Sequence, residues 1–143
     1  MSPGFGAKAA GQDDVAAMQA EIARMGSLPL HRLAAEVMIK GFGPDGPGGP
    51  GQPNTIENPL GVRRVELEHI AREFTPAFYG RGVGPDLNKP LMSLIAEGLQ
   101  VLEHAALIRV TSRGGVEHYL ATRRGREVVQ SGDLERILDP EIL

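Results

Sequence analysis

The chain has no cysteine and no tryptophan. The first absence excludes disulfide staples, thiolate metal sites and cysteine nucleophiles, and it fits a reducing, cytoplasmic setting. The second, with only two tyrosines and four phenylalanines in 143 residues, leaves a core to be built from Leu, Ile, Val, Ala and Met. No apolar run is long enough to span a bilayer. Residues 1–11 carry one lysine and no long apolar stretch, unlike a signal peptide. The expectation is a soluble, cytoplasmic protein without a membrane partner.

Catalytic patterns are lacking as well. His31, His69, His104 and His118 are scattered, with no two at helical ligand spacing and no His-Glu-x-x-His motif. Glu66 and Glu68 are two apart and face different sides of a helix. His69 pairs more naturally with Glu73, four residues on. No serine sits in a nucleophile elbow. Gly80 to Gly84 lacks the final spacing and preceding strand of a dinucleotide fingerprint, and the Gly-Pro stretch after Gly41 lacks the Lys-Ser/Thr of a phosphate loop. No enzyme, metal or cofactor is expected.

Net charge is −3, so the total asks for no polyanion. Its distribution is more informative. Between His104 and Arg126, Arg109, Arg113, Arg123, Arg124 and Arg126 face Glu117 alone. Beyond them Glu127, Asp133, Glu135, Asp139 and Glu141 face only Arg136. A basic island precedes an acidic stretch.

Residues 1–11 read as a flexible tail, and 12–143 as one domain. Asp13 and Asp14 suit the positive end of a helix whose Val15, Met18, Ile22 and Met25 share one face. Gly26 ends it. Ser27 is a candidate cap for a second helix striped by Leu30, Leu33, Ala34, Val37 and Met38, with Pro29 in its first turn. Gly41 and Gly43 stop that helix. Residues 41–59 then alternate Gly and Pro, which suits neither helix nor strand and reads as a long flexible loop. Val62 to Phe74 reads as a third helix. Thr75 to Asp86 is a turn-rich joint in which Phe78 and Tyr79 are candidate plugs for the core.

The region from 90 to 131 carries the strongest pattern. Asn88 is a candidate cap, Pro90 suits a first turn, and Leu91, Leu94, Ile95, Leu99, Leu102 and Ala105 recur at helical spacing. Gly98, in mid-helix, points to close approach by a neighbouring helix. Leu107 to Thr111 and Val116 to Leu120 read as strands around a tight Gly114-Gly115 turn. Thr122 then caps a last helix carrying Val128 and Val129, with Leu134, Ile137 and Leu138 packing beyond Gly132. A lone hairpin is marginal in water, so it must lie on the helices before it. The fold class is mainly α with a small β-hairpin, a winged helix-turn-helix with an extra N-terminal helix.

Leu102-Glu103-His104-Ala105-Ala106-Leu107-Ile108, then Tyr119-Leu120-Ala121-Thr122 and Gly125-Arg126-Glu127, resembles the recognition-helix end, wing and exit of winged-helix proteins of the MarR and PadR type. The likeness covers about a quarter of the chain. Those families commonly read Leu-Glu, a small residue, Gly-Leu-Ile, then Tyr-x-Leu-Thr-x-x-Gly-Arg. Here Ala106 stands in place of the glycine, and the joint before the long helix exceeds the three or four residues of a DNA-reading motif. The resemblance implies a DNA-binding transcriptional regulator. The Met-rich stripe of the first helix is read either as cover for the chain's own core or as a dimer seam, as flanking helices form in the resembled families, and a homodimer is the favoured expectation.

For duplex DNA, the candidate contacts are Lys89, Ser93 and Gln100 on the long helix, Arg109 and Arg113 on the wing, and Arg123 and Arg124 after it. Glu97 and Glu103 on the same helix suit a polyanionic groove poorly. The alternative is a protein–protein interaction module that docks a partner without DNA through its wing, acidic helix or Met-rich first helix; the plain reading of the arginines is a solvated wing edge that blunts strand pairing.

Overall fold

A computed structural model describes residues 12–49, 64–75 and 85–139. The elements are α1 (Gln12–Gly26), α2 (Leu30–Phe42), α3 (Leu67–Phe74), α4 (Pro85–His104), β1 (Ile108–Arg113), β2 (Val116–Ala121), α5 (Arg123–Ser131) and α6 (Leu134–Leu138). The chain is mainly helical with one antiparallel hairpin, a winged-helix-like fold. The tail expected over 1–11, the Gly-Pro segment beyond Gly49, and Phe78 and Tyr79 lie outside the described residues.

α2 and α4 form the spine. Leu33, Ala34, Val37 and Met38 of α2 are buried together with Leu91, Ile95, Leu99 and Leu102 of α4. Gly98 allows this contact: a Cβ there would lie 2.7 Å from Val37 Cγ2 and 3.2 Å from its Cβ. The mid-helix glycine therefore marks a close helix crossing, as its position suggested. α1 lies along the same spine, with Met18 and Met25 almost wholly buried. Of the two readings of the methionine stripe, the structure places Met18 and Met25 in the chain's own core. Arg24 straps α1 to α2, reaching both Glu21 and Glu36 at 2.7 Å.

Three local readings change. Ser27 closes α1 rather than opening α2: its hydroxyl donates to the Arg24 carbonyl, and α2 begins after Pro29 without a side-chain cap. Gly41 lies inside α2, buried against Ile70. Residues 43–49 fold into successive turns, with the Gly48 amide donating to the Gly41 carbonyl at 2.7 Å. α4 starts at Pro85, which places Asn88 and Pro90 within it. A first-turn proline does open this helix, but it is Pro85.

The largest departure lies before α3. Val65, read as helical, makes a β-bridge to Tyr119. Its amide donates to the Tyr119 carbonyl at 2.9 Å and its carbonyl accepts from the Tyr119 amide at 2.7 Å. Val65 is 2% exposed. The helix proper begins at Leu67, where the Glu66 amide donates to His69 Nδ1. His69 therefore turns back to the helix start. The order helix, short strand, helix, helix, hairpin gives the wing a third strand position, with β2 in the middle and β1 at the edge among the described residues.

α4 ends in a Schellman motif. The Leu107 amide donates to the Leu102 carbonyl and the Ala106 amide to the Glu103 carbonyl. Leu102 and Leu107, the pair that closes such a motif, are both fully buried. Ala106 occupies the left-handed position, with φ 62°. The hairpin turn uses Gly114 at φ 58° and Gly115 at φ 82°, the signs a type I′ turn needs. Thr122 joins these parts. Its amide donates to the Leu107 carbonyl, its hydroxyl donates to the Ala106 carbonyl at 2.8 Å, and the same hydroxyl accepts from the Gly125 amide at 2.9 Å.

Two outcomes follow from this junction. Ala106→Gly relieves a left-handed alanine and should stabilise the fold by about 1 kcal/mol, read as a higher urea midpoint with an unchanged slope. Gly125→Ala should destabilise it by about 2–3 kcal/mol, because a Cβ there would lie 2.1 Å from the Leu107 carbonyl oxygen and 2.9 Å from Met38 Cε. A Gly125→Ala protein with an unchanged midpoint would contradict the packing described.

Candidate nucleic-acid interface

The exposed strip of α4 follows from its apolar face. With Leu91, Ile95, Leu99 and Leu102 inside, Lys89, Ser93, Ala96, Glu97, Gln100, Glu103 and His104 stand outside, and Met92 is half-buried. The candidate contacts Lys89, Ser93 and Gln100 share one line, about 16 Å long from first to last. Glu97 and Glu103 flank it. The strip thus carries one lysine and two glutamates.

The wing carries the opposite sign. β1 alternates: Ile108 is buried and Arg109 exposed. Register pairs Ile108 with Ala121, Arg109 with Leu120, Val110 with Tyr119 and Arg113 with Val116. Ile108, Val110, Tyr119 and Ala121 therefore share the inner face, while Arg109 belongs to the outer one. Arg113 adjoins the Gly114-Gly115 tip, and Arg109 sits near the wing base. The side chain of Arg113 lies outside the described part of the structure. Arg123 and Arg124 are exposed in the first turn of α5, immediately after the Thr122 junction. The structure so brings Arg109, Arg123 and Arg124 to one end of the domain. It leaves Lys89 and Ser93 towards the other end of α4.

Arginine pairing divides the molecule. Arg24 is bound by Glu21 and Glu36, Arg32 by Glu135 at 3.2 Å, and Arg136 by Asp133 at 3.1 Å. Arg64 and Arg72 are engaged too. Arg109, Arg123, Arg124 and Arg126 have no carboxylate partner among the described residues, and the Nε of Arg126 is buried without a hydrogen bond. Arg24 and Arg32 thus bridge helices through carboxylates, while Arg109, Arg123 and Arg124 stand exposed without one among the described residues. The sequence showed the island; it could not show which arginines were already taken.

The inner face near the tip is acidic and coupled to the fold. The Tyr119 hydroxyl donates to Glu117 Oε1 at 3.0 Å. Burial of the ring, that hydrogen bond and the nearby charges of Glu117 and Glu103 push its phenol from 10.0 up to about 12. Across the outer face, Thr111 and His118 are directly paired, and Thr111 Oγ1 and His118 Nδ1 are buried without partners among the described residues. His118 Nε2 lies 3.8 Å from Glu66.

Among the described residues no three His, Asp or Glu side chains gather as metal ligands, and no helix is long and apolar enough to cross a membrane. No family model, curated protein or solved structure matches the chain.

The raised phenol of Tyr119 sets an alkaline limit. Its contribution to stability is complete below pH 10 and lost as pH rises through about 12. In Glu117→Gln the hydrogen-bonded carboxylate is gone, so the phenol should titrate lower and the alkaline loss become shallower. Denaturation midpoints measured from pH 8 to above pH 11, with absorbance titration of the phenol, check this. An identical profile in wild type and variant would refute the coupling.

Proposed function

We propose that this chain is a DNA-binding transcriptional regulator of the winged-helix type, acting in the cytoplasm. The supporting observation is the partition of its arginines among the described residues: Arg24, Arg32 and Arg136 are paired with carboxylates, and Arg109, Arg123 and Arg124 are not. Unpaired guanidinium groups on a rigid hairpin and helix start suit phosphate oxygens, which accept in pairs. Edge protection accounts for Arg109 on the open strand, yet leaves Arg123 and Arg124 without a role. The strand order with Val65 beside β2 adds architectural support.

A second reading has its own observation. Glu97 and Glu103 stand exposed on α4, the helix that would enter a groove, and an acidic helix suits a basic protein partner. It makes the chain an interaction module without DNA.

The two readings separate in a gel-shift titration of the full chain on labelled duplex DNA at low salt. The DNA reading expects a shift that fades as salt rises and is lost in the triple variant Arg109→Ala, Arg123→Ala, Arg124→Ala. Absence of any shift at low salt would overturn it and leave the interaction module.

A further inference from the structure

Resting on the DNA reading, we infer that the duplex is held at the wing base by Arg109, Arg123 and Arg124, with α4 outside the major groove, so that binding follows phosphates and tolerates sequence. Helix-turn-helix readers place the N-terminal residues of the recognition helix on base edges. Among the described residues the arginines without a carboxylate partner collect at the other end of α4, and Lys89 is the exposed cation near its start. Thr122 is bonded to the carbonyls of Ala106 and Leu107, just past the C-terminus of α4. The first turn of α5 is seated on Leu107 with no room for a Cβ at Gly125. Arg109 follows Leu107 by two residues, about 7 Å along the strand, and pairs with Leu120, two residues before Thr122. Arg123 and Arg124 come directly after that cap. Lys89 is about 21 Å back along the helix from Glu103.

Charge on α4 points the same way. Glu97 and Glu103 are about 9 Å apart along the axis, less than the roughly 12 Å width of the major groove. A helix seated there would carry both carboxylates between two phosphate walls. Ser93 and Gln100 are the neutral base-reading donors exposed on the strip, and they share it with these acids. The nearest acids are Glu66, 3.8 Å from His118 on the outer wing face, and Glu127, one turn along α5 from Arg123, and neither is paired with Arg109, Arg123 or Arg124 among the described residues. An occupant with closely spaced negative charge and no required base order fits this surface.

The experiment compares two duplexes of equal length and unrelated sequence, using the full chain over a range of salt. The expected dissociation constants lie within about tenfold of each other, where a base reader shows a thousandfold or more between specific and non-specific sites. Arg109→Ala, Arg123→Ala and Arg124→Ala each lower the slope of log affinity against log salt by about 0.9 on both duplexes. Ser93→Ala and Gln100→Ala change neither affinity nor slope. Circular dichroism melts confirm that these exposed variants fold as wild type. The inference is overturned, with the DNA reading intact, if a sequence selected from a random pool binds a thousandfold tighter and loses that advantage in Gln100→Ala. A complete lack of binding to both duplexes at low salt overturns the DNA reading and this inference with it.

Discussion

The carbonyl oxygens of Ala106 and Leu107 receive what the C-terminal half of the fold needs to stay in register. In an ordinary helix end, such groups would be left to solvent. Here Thr122 occupies both, one with its hydroxyl and one with its amide, while the same hydroxyl caps α5. Three elements that would otherwise pivot (the end of α4, the foot of the hairpin and the start of α5) are tied at one point. Gly125 sharpens the constraint, since only a residue without a side chain lets α5 sit against Leu107. The positions of Arg109, Arg123 and Arg124 are consequences of this tie rather than of any contact among themselves.

A second constraint works from the other side of the wing. A two-stranded hairpin has little independent stability, and β2 is steadied by the two hydrogen bonds between Val65 and Tyr119. Because Tyr119 spends its backbone groups on Val65 and its hydroxyl on Glu117, the middle strand is held on the inner face as well as along its edge. On the outer face, β1 presents Arg109 on this steadied hairpin without a carboxylate partner among the described residues.

Much of this was legible in the residues. Leu91 to Leu102 at helical spacing, the Gly114-Gly115 turn, the Thr122 cap and the meaning of Gly98 all rest on local rules, and the structure agrees with each. Val65 was not legible, because one residue of strand leaves no period to read, and its partner lies more than fifty residues away. The start of α4 was misplaced because Asn88 and Pro90 offered a plausible opening, while Pro85 stood at the end of a stretch rich in turn residues. The turns from 43 to 49 depend on how closely glycine backbones pack under α2, which composition does not reveal. The island of arginines was visible, but pairing is a three-dimensional property, and only the folded chain separates Arg32, which meets Glu135 from 103 residues away, from Arg123, which meets no carboxylate among the described residues.

Tyr119 also gives the domain an optical property. With no tryptophan in the chain, near-ultraviolet emission comes from two tyrosines alone. One of them stands in the middle strand of the wing with its hydroxyl on a carboxylate, an environment that differs sharply from water. Detachment of the hairpin from Val65 would change the surroundings of that ring at once. The molecule therefore carries a native fluorescence reporter at the wing, and substitution of Tyr79 by phenylalanine would isolate its signal without introducing a foreign dye.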